Sequence, residues 1–348
     1  KTAAYLQPLI HKIINSNVDD NINALVIVPT RELAVQIAQN LEGLSYFTPI
    51  SSIAVYGGGD GETFSIEKKA LSKGADIVIC TPGRMISHLN QGYAKIKNLQ
   101  YLVLDEADRM LDMGFYDDIM RIISFLPQKR QNLLFSATMP PKIRELARKI
   151  LDKPEEVNIS ISKPPEKIIQ QAFVVYDNQK IGLVKFLLRS QDFKSVLIFC
   201  SKKSSVKQLS NELKRANLSI EEIHSDLEQS VREQVLLDFK SRKLRILVAT
   251  DILSRGIDIE DIDLVINYDV PHDGEDYIHR IGRTARAETK GVAYTFIGEK
   301  EQNKFQAIEQ LLGKPVPKAV IPPQLGEAPS YQPRTSRNGR NRFRSQSR

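Results

Sequence analysis

Three carboxylates crowd into Asp105-Glu106-Ala107-Asp108, directly behind the apolar run Tyr101-Leu102-Val103-Leu104. Like charges this close repel, so the pattern calls for a cation, and magnesium carried by substrate phosphates is the usual one. Asp105 would hold the hydrated metal, while Glu106 orients and deprotonates an attacking water. A solvated helix start uses the same acids; the position behind four strand-like residues favours the metal. The opening pair Lys1-Thr2 has two readings. It is an arbitrary start, or it ends a phosphate-binding loop, G-x-x-x-x-G-K-[ST]. There Lys1 neutralises β- and γ-oxygens, Thr2 ligates magnesium, and the helix-like TAAYLQPLIHKII aims its positive end at the same anions. Farther on, Arg283 and Arg286 in HRIGRTAR (279–286) are spaced to share a helix face and converge on one anion. Paired arginines reaching a phosphate from a separate domain are the arginine-finger device. A basic surface helix is the plainer alternative.

Such residues need elements that bring them together. In the first half, β-branched runs occur at 24–29, 52–57, 76–80, 101–106 and 132–138; in the second, at 171–177, 195–200, 245–251, 264–269 and 291–297. Amphipathic helical segments alternate with them, which predicts an α/β fold of parallel sheets covered by helices on both faces. The series breaks once, near NISISKPPEKI (158–168). We therefore expect a first domain over 1–157, a linker over 158–167 and a second domain over 168–312. In such sheets function gathers at the carboxyl ends of strands.

Composition bounds the rest. The 348 residues carry 41% hydrophobic residues, enough for a globular body, and 7% aromatics with no tryptophan, so base stacking is not the main device. Cys80 and Cys200 both end apolar runs and read as buried thiols in a reducing cytosol. No run of about 18 apolar residues is present, which argues against a membrane span. Of the net charge of +7, residues 327–348 supply +5 through six arginines against one acid. We expect 313–348 to be a basic, disordered tail that attracts nucleic-acid phosphates without reading sequence. A merely solubilising tail is the alternative.

The ordered set PTRELA (29–34), GG (57–58), TPGR (81–84), DEAD (105–108), SAT (136–138), TDILSRGID (250–258) and HRIGRTAR (279–286) resembles the DEAD-box family of ATP-dependent RNA helicases, over nearly the whole chain to about residue 312. The strings DEADRMLDMGF and KRQNLLFSAT, with the basic tail, are similar to the bacterial RhlE-type branch. The resemblance implies two tandem RecA-like domains, with ATP and Mg2+ as cofactors and RNA as partner. Lys1 and Thr2 would then close a phosphate loop whose glycines lie upstream, so the chain is expected to be part of a longer protein. It implies RNA-backbone contacts from Pro29, Thr30, Arg31, Gly57, Gly58, Thr81, Gly83, Arg84 and, in the second domain, Thr250. The physical reading agrees: the glycines let a sugar-phosphate approach the main chain, and the threonines and arginines donate to it. Singly, TPGR is also a proline turn and GGGDG a flexible loop. Asp108, Ser136 and Thr138 would couple nucleotide state to domain closure, helped by Gln229, Arg232, Arg255 and His279. Gly256 and Asp258 would contact ATP, Asp258 at its ribose, and Arg283 and Arg286 the γ-phosphate. Ala285 departs from the family's usual glycine.

The function expected from this is a clamp, closing when ATP and single-stranded RNA are bound together and opening short duplexes locally. Contacts to phosphates and 2′-hydroxyls would favour RNA over DNA without reading sequence. The rivals are an RNA-annealing protein driven by the arginine tail, with no need of hydrolysis, and a DNA helicase on the same scaffold. Ribosome-assembly or RNA-decay factors are the protein partners the family suggests; the expected compartment is the cytoplasm.

Overall fold

Each of the ten apolar runs overlaps a strand. The structure, a computed structural model, describes residues 2–16, 21–158, 167–250, 259, 261–284 and 291–333. It has two compact units. The first gathers Lys1–Ser162 with Ile223–Ser241 and Thr250–Ile259; the second gathers Lys163–Glu222, Arg242–Ala249 and Glu260–Arg348. The expected linker falls almost wholly outside the described residues.

The first sheet is reached through α1 (Thr2–Ile14), β1 (Ala24–Ile27), α2 (Arg31–Ser45), β2 (Ser52–Val55), α3 (Gly61–Lys73), β3 (Ile77–Cys80), α4 (Pro82–Leu89), β4 (Tyr101–Leu104), α5 (Ala107–Asp112), α6 (Tyr116–Phe125), β5 (Gln131–Leu134) and α7 (Pro141–Ile150). Its order is β2-β3-β1-β4-β5, and every neighbouring pair is parallel. Side chains of a strand point alternately to opposite faces. Leu25, Ile27, Val78, Leu102 and Leu104 accordingly join one apolar cluster with Met85, Leu89 and Ile122. Ala24, Val26, Ile77, Ile79 and Val103 join another with Leu6, Leu9, Leu33, Ile37 and Leu41 of α1 and α2. Both faces are dry, which is why these runs are continuously apolar.

The second sheet follows through β6 (Ile169–Val174), α8 (Lys180–Ser190), β7 (Val196–Cys200), α9 (Lys203–Lys214), β8 (Ile220–Ile223), α10 (Gln229–Lys240), β9 (Ile246–Thr250), β10 (Leu264–Asn267), α11 (Gly274–Ile281), β11 (Val292–Ile297) and α12 (Gln302–Leu312). Its order is β6-β11-β10-β7-β9-β8, with β6–β11, β11–β10 and β10–β7 parallel. The strand β8, Ile-Glu-Glu-Ile, escapes the apolar-run criterion. It lies at the edge of the sheet and buries only its two isoleucines, so glutamates are tolerated between them. Cys80 and Cys200 are free and buried, and burial pushes the Cys80 thiol well above its ordinary range. No helix among the described residues is long and apolar enough to cross a membrane.

One expectation is corrected. Residues 334–348, with all six arginines, lie outside the described residues, but 313–333, expected as part of a disordered tail, pack onto the second unit. Val316 and Ile321 are buried, and Ala172 and Lys318 form a parallel bridge. The Gln179 amide donates to the carbonyls of Leu325 and Glu327, both at 2.9 Å. Composition dominated by the arginine end hid the few apolar residues that fasten this stretch.

Candidate functional site

Because the first sheet is parallel, the carboxyl ends of its strands lie along one edge. From them lead Pro29-Thr30 after β1, Gly57-Gly58 after β2, Thr81 after β3, the acidic turn after β4 and Ser136 after β5. At the turn, Glu106 takes φ 50°, ψ 49° as the residue before α5. That left-handed conformation costs a residue with a side chain about 1–2 kcal/mol. Two hydrogen bonds hold it: Glu106 N–H donates to Asp105 Oδ1 at 2.9 Å, and Ala107 N–H to the Phe135 carbonyl at 3.0 Å.

The carboxylates of this turn meet different partners. Asp105 Oδ2 accepts from the Tyr5 hydroxyl at 3.0 Å, and Asp108 Oδ2 accepts from both the N–H and the hydroxyl of Thr138, each at 3.1 Å. Ser136 Oγ accepts from Asp108 N–H at 3.3 Å and donates to the Thr138 carbonyl at 2.7 Å. Protein hydrogen bonds thus absorb part of the negative charge, and no group of three or more acidic, histidine or cysteine side chains among the described residues is arranged to hold a metal. Tyr5, which the sequence reading missed, also has the Thr2 side chain near its hydroxyl, where it acts to lower the pKa. Burial first, then the Asp105 charge, hold its hydroxyl well above the usual range, so it stays a neutral donor. Thr2 and Asp105 therefore both lie near the Tyr5 hydroxyl. Their hard oxygen donors fit magnesium that arrives with phosphate ligands of its own. Lys1 lies outside the described residues.

The remaining residues of this edge differ in what the fold already asks of them. Pro29 is buried. Thr30 caps α2, its hydroxyl accepting from Leu33 N–H at 3.3 Å, whereas Thr81 precedes α4 with no such bond. Gly58 is required first by its left-handed backbone, while Arg31 only crowds it with the far end of a flexible side chain and leaves Gly57 in ordinary contact. A Cβ on Gly58, at φ +98°, would stand 2.2 Å from Arg31 Nη1, and one on Gly57 3.5 Å from Nη2. Gly83 has no such neighbour within 4 Å among the described residues, so a Cβ there would enter open space. Arg84 donates through Nε to the buried Glu67 at 2.7 Å.

Arg232 of α10 forms an ion pair with Glu32 of α2, both side chains under a tenth exposed, and Gln229 accepts from Arg232 Nη1 at 3.4 Å. Glu32, inside PTRELA, was not singled out from sequence. Thr250 ends β9, and its buried hydroxyl has no partner among the described residues. His279 lies on α11 and is half-buried. Arg283 sits in the 3-10 turn Gly282–Thr284 that follows α11, which ends at Ile281; the face it was expected to share with Arg286 falls partly outside the described residues. Arg280, passed over in the sequence, is wholly buried and donates to Asn267 at 3.1 Å over the Phe199 ring. Arg255, Gly256, Asp258 and Arg286 lie outside the described residues.

The DEAD/DEAH box helicase family profile matches residues 1–146, and that of the helicase conserved C-terminal domain matches 179–288. The chain is 42% identical to the ATP-dependent RNA helicase CshA of Listeria monocytogenes, over 90% of its own length and 60% of that protein's. It is 39% identical to the DEAD-box ATP-dependent RNA helicase CshA of Geobacillus kaustophilus, over 96% of its length and 70% of that protein's. Among solved structures it is similar to S. cerevisiae Dbp5 bound to RNA and ADP BeF3, with a TM-score of 0.81 and 28% identity, covering 91% of this chain and 82% of that one.

Proposed function

This chain belongs to the DEAD-box family of ATP-dependent RNA helicases, and from that premise we propose that it is an RNA-dependent ATPase that opens short RNA duplexes by closing its two units on ATP and single-stranded RNA together. The observation that carries the reading is the turn at Asp105–Asp108, whose carboxylates are divided between Tyr5 and Thr138. One acid thereby stands beside Thr2, and another is tied to Ser136 and Thr138.

In the proposed reaction Asp105 and Thr2 would hold Mg2+, which would supply positive charge against the phosphates, and Lys1 would add its ammonium charge there. Glu106, its side chain about a quarter exposed, orients and deprotonates the attacking water. Arg283 and Arg286 stabilise the terminal phosphoryl group when the units close, and Gly256 and Asp258 hold the nucleoside. Asp108, Ser136 and Thr138 pass the state of the phosphate to the rest of the first unit, with Gln229, Arg232, Arg255 and His279 supporting the closed form. Thr81, the open backbone at Gly83, Arg31, Arg84 and Thr250 take the RNA backbone; Pro29, Thr30, Gly57 and Gly58 shape that surface. Within the family we propose the RhlE-type branch, on the strings DEADRMLDMGF and KRQNLLFSAT and the arginine-rich end. The setting is proposed as cytoplasmic, in ribosome assembly or RNA decay.

Glu106→Gln tests the chemistry. It keeps shape and hydrogen-bonding atoms but no longer serves as a base, so RNA-stimulated turnover is expected to fall about 10²–10⁴-fold with binding of ATP and RNA retained. Near-normal turnover would remove Glu106 from its role.

A further inference from the structure

Glu67 is a charged residue in the interior, 2% exposed, on a helix whose only other buried residue is Leu71. An ionised carboxylate there is tolerated only if it is paired and hydrogen-bonded. Its Oε2 meets two partners from α4, Arg84 Nε at 2.7 Å and His88 Nε2 at 2.8 Å. A carboxylate only accepts, so both nitrogens donate. On its other side the imidazole meets Tyr93, whose hydroxyl sits against Nδ1. Burial, and after it the Glu67 charge, raise the Tyr93 pKa and keep that hydroxyl a donor. Phe64, one turn before Glu67, stacks on the fully buried His88 ring at 4.3 Å and 14°. The Arg84 guanidinium lies over the same phenyl ring at 4.6 Å.

Arg84 is therefore gripped on its Nε edge by Glu67 and on one face by Phe64, and its side chain is 15% exposed. Its Nη2 is shielded from solvent and has no acceptor among the described residues, a donor left unsatisfied in the protein. Thr81 and Gly83, with their uncommitted hydroxyl and open backbone, belong to the same turn. A guanidinium fixed on one edge loses less freedom when a phosphate oxygen completes the other. We infer that Glu67 and His88 are a buried positioning pair for Arg84, and that through it they set how tightly the protein holds an RNA phosphate. The inference rests on the proposed role of Arg84 at RNA.

A double-mutant cycle in the full chain tests it. Glu67→Ala, Arg84→Ala and the double variant are titrated onto a fluorescently labelled single-stranded oligoribonucleotide with a non-hydrolysable ATP analogue, and their melting is followed in parallel. Arg84→Ala is expected to weaken binding about tenfold, Glu67→Ala about fivefold, and the double variant no more than Arg84→Ala alone. If Glu67→Ala does not fold, Glu67→Gln takes its place; it keeps an acceptor, and about a twofold loss is expected only while Arg84 is present. Equal losses from changing Glu67 with and without Arg84 would make Glu67 merely structural and overturn the inference. So would unchanged binding for Glu67→Ala beside weakened binding for Arg84→Ala. If Arg84→Ala itself binds RNA normally, the proposed role of Arg84 falls, and the inference with it.

Discussion

At Asp105 a single buried hydroxyl decides the orientation of a proposed metal ligand. Tyr5 and Glu106 N–H each hold one carboxylate oxygen, so the group cannot rotate without breaking both bonds. Tyr5→Phe deletes only the hydroxyl. A hydrogen bond to a charged group contributes about 1.5–3 kcal/mol, so the Mg2+ concentration for half-maximal ATP turnover should rise about tenfold or more. A magnesium titration of steady-state hydrolysis checks this, and an unchanged midpoint would leave Tyr5 a packing residue. Gly58 carries a second prediction. Alanine there meets Arg31 and an unfavourable φ of +98°, so Gly58→Ala should lower stability by about 1–3 kcal/mol. Chemical denaturation of the two proteins side by side measures it.

Among the elements, what could be read in the sequence followed from burial on two faces. Strands such as β1, β3 and β4 are continuous apolar runs and declare themselves; β8, with Glu221 and Glu222 at a sheet edge, does not. The motif residues declared themselves through their places behind strands. Their partners did not: Tyr5 and Asp105 are 100 positions apart, and Glu67 on α3 looks like any solvated helix glutamate until α4 folds against it. The packed stretch after α12 was hidden likewise, and Glu309 anchors it. Its Oε1 accepts from Val316 N–H at 2.7 Å and from Lys318, and its Oε2 from the Tyr331 hydroxyl at 2.7 Å. Burial alone would raise the Glu309 pKa, but Lys318, Val316 and Tyr331 together carry it below 4.5. A depressed carboxylate contributes stability above its unfolded pKa and loses that contribution as pH falls through the folded one. Glu309→Gln should therefore cost about 1–3 kcal/mol at neutral pH. The gap to the parent should close in acid below the folded value, as melting at several pH values would reveal.

For the whole molecule, the proposal divides the chemistry between two sheets. Acids and the threonine hydroxyl come from the first unit, Arg283 comes from the turn after α11, and Arg286 follows three residues on in the sequence. Arg283→Ala should then leave ATP binding close to normal while lowering RNA-stimulated turnover about 10³-fold or more, the usual effect of an arginine finger. Single-turnover hydrolysis at saturating ATP and RNA separates these terms, and equal losses in binding and turnover would assign Arg283 to ground-state binding. The polymer that drives closure is the central claim. It is tested most directly by steady-state ATP hydrolysis with no nucleic acid, with a single-stranded oligoribonucleotide, and with the deoxyribo-oligonucleotide of the same sequence. The account predicts strong stimulation by RNA and little by DNA, because 2′-hydroxyls belong to the recognised surface. Equal stimulation by both polymers, or hydrolysis indifferent to either, would contradict it.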